Sequence, residues 1–235
     1  DRLAASTFFL DGDPKLTNGP VVERFEEEFA AWLGVRYAVM VNSGSSANLI
    51  TMQALKIMHG NGRVLVPCIT WVSDIAAVLH AGLEPVFVDI HPETLGMDMA
   101  GAARHSALAV FVTHCLGFPA LTGWHSNSIL IEDCCEALGA QVGEQKVGTL
   151  GLMSNFSFYY AHHMSTIEGG MVCTNDERCY EILRMLRSHG LVREMKNPAF
   201  RQAAADASPD LDPQFIFSHL AYNMRPIEVQ AVIGR

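Results

Sequence analysis

Tyr37-Ala38-Val39-Met40-Val41 is a short apolar run, Asn42-Ser43-Gly44-Ser45-Ser46 follows it as a small-residue turn, and Ala47 to Met58 then carries a helical pattern. Strand, turn and helix in that order form the repeating unit of an α/β sheet. The pattern continues outward on both sides. Upstream, Glu23 to Leu33 places Phe25, Phe29 and Trp32 at helical spacing. Downstream, Arg63 to Val66 predicts a strand, Val72 to His80 a helix and Glu84 to Asp89 a strand. Ala107 to Thr113 and Ser128 to Glu132 predict two more. Phe156 to Tyr159 and Gly170 to Thr174 predict a pair of strands flanking a loop, and Glu177 to Ser188 an amphipathic helix. Asn197 to Pro213, rich in Ala, Asp and Pro, is expected to be a mobile loop. The rhythm predicts an α/β fold, a mostly parallel sheet with helices on both faces. Ligands of such sheets bind beyond the carboxyl ends of the strands.

The chain has 235 residues, enough for one large α/β domain, and 49% of them are hydrophobic. A net charge of −9 without any Lys/Arg run argues against nucleic acid or an anionic membrane as partner. No apolar run approaches the ~20 residues of a membrane span. The six cysteines, at 68, 115, 134, 135, 173 and 179, lie mostly in apolar segments. They are expected to be reduced core thiols of a cytoplasmic protein, and their spacing lacks the cluster of an iron–sulfur site. The chain begins at Asp1 and ends at Arg235 in a helix-like stretch, so a longer protein is expected.

Three segments carry candidate chemistry. The turn at Ser43-Gly44-Ser45-Ser46 presents backbone N–H groups at a helix start, which suits an anion such as a phosphate; an ordinary turn with a serine cap is the plainer reading. Asp133 ends the apolar strand Ile129-Leu-Ile-Glu-Asp, where it would hold a pyridinium N–H, a ribose or Mg²⁺, or stand in a salt bridge. Between the last two strands, Ser157, His162, His163, Glu168 and two glycines share one loop. Structural histidines and a zinc site with Glu168 are both open there, although the spacing matches no helical ligand pattern.

Taken together, these segments resemble the DegT/StrS-type sugar aminotransferases of the aspartate-aminotransferase fold. The resemblance runs from Leu16-Thr-Asn-Gly-Pro20 through Asn42-Ser-Gly-Ser-Ser46, Pro85-Val-Phe-Val-Asp89, Glu132-Asp133 and Lys146-Val-Gly148 to Tyr222-Asn223-Met-Arg225. It implies a fold type I large domain over 1–235, with a carboxyl-terminal small domain outside this chain. It also implies pyridoxal or pyridoxamine 5'-phosphate as cofactor. By the same resemblance Gly44, Ser45 and Ser157 grip the phosphate and Trp71 stacks on the ring. Asp133 pairs with the ring nitrogen, Glu136 lies near the ring, and Asn223 reaches the cofactor of a neighbouring subunit in a homodimer.

One position departs from the family. The lysine that forms its Schiff base lies five residues after the Ser157 position, and His162 stands there. Lys15, Lys56, Lys146 and Lys196 are the lysines of this chain, and none fills the slot. Imidazole forms no stable Schiff base, yet with an unperturbed pKa of ~6.5 it carries protons near neutrality. A branch of the family, the GDP-4-keto-6-deoxymannose 3-dehydratases, is similar in having this histidine. A second histidine branch carries a cysteine-bound iron–sulfur cluster after the Gly-Gly strand, where this chain has only Cys173 and Cys179. The resemblance implies C3 dehydration of a nucleotide-linked 4-keto-6-deoxy sugar, with His162 as base, glutamate as amino donor and no metal. A nucleotide-sugar aminotransferase is the alternative, and a degenerate scaffold or a zinc hydrolase are further readings. His163 is expected to face away from the site if its loop is extended.

Overall fold

Six strands of the central sheet run one way, so their carboxyl ends meet at one edge. In the computed structural model residues 2–10, 15–120 and 128–235 are described. In chain order the elements are α1 (Arg2–Leu10), α2 (Pro20–Leu33), β1 (Tyr37–Val41), α3 (Gly44–His59), β2 (Arg63–Pro67), α4 (Val72–His80), β3 (Glu84–Val88), α5 (Met99–Ala102), β4 (Ala109–Thr113) and β5 (Ile129–Asp133). A small hairpin of β6 (Gln141–Val142) and β7 (Gln145–Lys146) follows. The chain then forms β8 (Met153–Ser157), β9 (Gly170–Thr174), α6 (Glu177–Arg187), α7 (Pro198–Asp206) and α8 (Glu228–Gly234). The seven-stranded sheet has the order β1-β9-β8-β5-β4-β2-β3. β9 is antiparallel to both its neighbours and the remaining pairs are parallel.

Alternation along the strands explains why both faces are covered. Val39 and Val41 pack into the core with α3 and α6, whereas Ala38 and Met40 pack with Phe25 and Phe29 of α2 on the other side. Val64 and Val66 likewise face away from Leu65. Each fully buried aliphatic or aromatic side chain contributes ~1.5–3 kcal/mol. Pro20 starts α2, and Gly34 ends it at φ 98°, a conformation that glycine tolerates and other residues resist.

The sequence-based strands and helices lie where expected, with two corrections. β8 spans Met153–Ser157, not Phe156 to Tyr159, because it pairs with β5 from Ile131↔Met153 and with β9 from Met153↔Thr174. Its polar residues Ser154 and Asn155 hid its start; both are buried and hydrogen-bonded. The expected loop from Asn197 to Pro213 contains α7. Asn197 caps it by accepting from the Ala199 N–H at 2.9 Å, Pro198 occupies its first turn, and four alanines follow. Among the described residues no helix is long and apolar enough to cross a membrane.

Candidate active site

Strands β1, β2, β4, β5 and β8 deliver Ser43-Gly44-Ser45, Trp71, Thr113, Asp133 and Ser157 to the shared carboxyl edge of the sheet, and together these residues line a cavity of about 780 Å³. Leu116, Cys135 and Glu136 add a second wall, and the loop after β8 closes it with Tyr159, His162, His163 and Glu168. Seven of the eight residues singled out from the sequence therefore meet in one place. Asn223 is the exception: it does not line this cavity in its own chain. It bridges to Ser188 and accepts from the Arg225 N–H at 3.1 Å.

The phosphate-type turn is built by close packing. Ser43 caps α3, its Oγ accepting from the Ser46 N–H at 3.1 Å. A Cβ on Gly44 would lie 2.7 Å from the Ser157 Cβ and 3.0 Å from its Oγ. Glycine thus lets the turn close onto β8, leaving the first N–H groups of a 16-residue helix beside two serine hydroxyls. An anion fits that cradle, since the helix end adds partial positive charge.

Asp133 is buried at the end of β5. Its Oδ1 accepts from the Cys135 N–H at 2.8 Å and its Oδ2 from the Asn48 amide at 3.1 Å. Trp71, by contrast, is 67% exposed on the cavity wall at the start of α4. An open indole and a buried carboxylate lining one cavity suit a flat, cationic ring. The Glu136 Oε2 accepts from the Leu116 N–H at 2.7 Å, which fixes that side chain in the cavity wall.

His162 is half-buried, 6.1 Å centroid to centroid from Tyr159, and its N–H bonds the Tyr159 carbonyl at 3.0 Å. That bond closes a turn, so the loop is not extended. His163 consequently also lines the cavity, against the expectation that it would face away. Sequence reasoning also missed Asn48, Thr113 and Asp74. Asp74, in the first turn of α4, is fully buried next to Asp133.

Among the described residues, the cluster able to gather around a metal is His114, Glu132 and Cys134, away from the two loop histidines. The His114 and Glu132 atoms of this cluster are already engaged. The His114 Nδ1 accepts from the Ala120 N–H and its Nε2 meets Glu132 at 3.1 Å. Glu132 also accepts from the Gly148, Leu150 and Gly151 N–H groups, each at 2.8 Å. This is a structural staple. All six cysteines are free, but only Cys134, Cys173 and Cys179 are buried, fewer than expected.

The sequence profile of the DegT/DnrJ/EryC1/StrS aminotransferase family matches residues 4–235. The chain belongs to this family. A relative from Yersinia pseudotuberculosis, described as GDP-4-keto-6-deoxy-D-mannose 3-dehydratase, is 36% identical over 93% of this chain and 59% of its own length. The present chain thus spans less than two thirds of that relative. Among solved structures, the Escherichia coli GDP-4-keto-6-deoxy-D-mannose 3-dehydratase with bound hydrated PLP superposes with a TM-score of 0.85. It is 31% identical and is covered over 63% of its length, against 99% of this chain. A structure of GDP-4-keto-6-deoxymannose 3-dehydratase with a trapped PLP–glutamate geminal diamine gives a TM-score of 0.84 at the same identity.

Proposed function

We propose that this chain is the cofactor-binding part of a pyridoxal/pyridoxamine 5'-phosphate-dependent 3-dehydratase of a nucleotide-linked 4-keto-6-deoxy sugar. The observation that carries the reading is His162 on the cavity loop, in the slot where the family's covalent lysine is expected. The cradle at Gly44, Ser45 and Ser157 suits the cofactor's phosphate. The buried Asp133 and the open indole of Trp71, both lining the cavity, suit its ring. When bound, the cofactor supplies an amine that condenses with the sugar carbonyl and a ring that accepts electrons.

The residues of the chain then have distinct tasks. Asp133 holds a proton on the ring nitrogen by charge and hydrogen bonding. His162 takes up a proton at its cavity-facing nitrogen and returns it to the C3 hydroxyl, which leaves as water. No lysine stands in the slot to capture the cofactor covalently. Glu136 and Glu168 bound the cavity as acceptors for polar groups of a sugar. Overall, a C3–O bond is replaced by C3–H. Glutamate provides the two electrons as it is oxidised to 2-oxoglutarate, and ammonia departs. The trapped glutamate adduct in the similar solved structure supports this donor.

A homodimer completes the proposal. Asn223 sits away from its own cavity, and exposed Leu220, Tyr222, Tyr160 and Ile167 offer apolar surface on the same two segments. The test is product analysis. Full-length protein given the cofactor, glutamate and a panel of nucleotide-linked 4-keto-6-deoxy sugars should release one ammonia for each 3-deoxy sugar formed. An accumulating amino sugar without ammonia release would instead establish the aminotransferase.

A further inference from the structure

Behind Asp133 lies a second acid that the proposed chemistry has not used. Asp74 is fully buried on the first turn of α4. One amide group, the Asn48 Nδ2, donates to the Asp74 Oδ1 at 2.6 Å and to the Asp133 Oδ2 at 3.1 Å, bridging the two carboxyls. The Thr113 hydroxyl donates to the Asp74 Oδ2 at 2.7 Å and the Thr70 hydroxyl to the same oxygen at 2.5 Å. The amide's orientation is fixed from behind. Asn155 donates to the Asn48 Oδ1 at 2.9 Å and receives the Thr51 hydroxyl at 2.7 Å.

Every partner in this cage other than Asp133 is neutral. The titratable groups facing Asp74 are Asp133 and, past it, the Cys135 thiol. Burial first, and then the charge of Asp133, push the Asp74 carboxyl well above the ordinary range. Two buried carboxylates without a cation between them do not both ionise readily. A cation arriving at the outer member of the pair removes that restriction.

Resting on the cofactor reading above, we propose that Asp74 is a positioning residue that keeps one proton behind Asp133 and yields it as the cofactor ring docks. The ring arrives with its nitrogen already protonated; as this cation meets Asp133, the O–H bond of Asp74 breaks and its proton leaves to the solvent buffer. Asp74 is left as a carboxylate held by Asn48, Thr70 and Thr113, its repulsion with Asp133 offset by the pyridinium. Docking of the cationic ring thereby expels a proton stored in the fold, so binding by wild type releases protons that Asp74→Asn does not hold.

Proton counting tests this. Calorimetric titration of the full-length protein with pyridoxal 5'-phosphate, in two buffers of different ionisation enthalpy, gives the protons taken up per cofactor bound. Wild type should take up fewer than Asp74→Asn, by about half a proton or more near neutral pH. Equal counts would overturn the proposal. Absence of binding by wild type would overturn the cofactor reading itself, which distinguishes the two failures. Difference infrared spectra of wild type need no variant. Binding should abolish a protonated-carboxyl band, and an unchanged band would overturn the proposal.

Discussion

His162 and His163 both reach the cavity, but from different settings: His162 is half-buried with its ring edge-on to Tyr159, whereas His163 is exposed. A base needs a fixed ring, so we assign the proton transfer to His162. His162→Asn in the full-length protein should lower dehydration by at least ~10²-fold, the low end of a general acid–base contribution, with His163→Asn much milder. Steady-state assay of both variants checks this, and an essential His163 would reverse the assignment. Asp74 adds a pH signature. Its folded pKa is raised above an unfolded value of about 3.9, so the folded state binds more protons and wild type loses stability as pH rises through that window. Asp74→Asn, which has no proton to lose, should gain stability relative to wild type from about pH 4 upward. Thermal unfolding across pH, without cofactor, would show the two curves diverging in that direction. Neither Asp74 nor Asn48 was legible in the sequence. A buried acid on a helix's first turn looks like any surface N-terminal carboxylate until the sheet edge is assembled around it.

The strand–turn–helix unit at Tyr37–His59 shows how an element fixes a site. Its turn closes onto β8 only because residue 44 lacks a side chain. Gly44→Ala would drive a methyl to 2.7 Å from the Ser157 Cβ, within 3.2 Å of the Cys135 sulfur. We expect a cost of ~1–3 kcal/mol in stability from overpacking, read as a lowered denaturant midpoint. Cofactor affinity should fall with it by ~10-fold or more, since 1.4 kcal/mol lost from the cradle suffices. This unit was visible in the sequence because an apolar run, small residues and a helical period follow one another directly. α7 was not, because its helical signal rests on a cap, a proline and alanines in a stretch dominated by loop-type residues. β8 was displaced because two of its residues are polar and find their partners only through the tertiary fold.

At the scale of the molecule, the sheet's carboxyl edge is secured by Glu132, which pins three backbone N–H groups and His114 at the carboxyl end of β5. Glu132→Ala should cost ~3–5 kcal/mol, because those buried donors lose their acceptor together; urea unfolding measures it. The proposed homodimer predicts that the full-length protein sediments as a two-chain species, and an active monomer at micromolar concentration would exclude a shared site. Both belong to an architecture that gathers the proposed cofactor pocket at one edge of the sheet, with His162 proposed in the place of the covalent lysine. Borohydride reduction of the cofactor-loaded full-length protein, followed by peptide mass mapping, probes that replacement directly. The account predicts a chain free of any pyridoxyl group and a cofactor removable by dialysis. A pyridoxyl adduct on a lysine would contradict it.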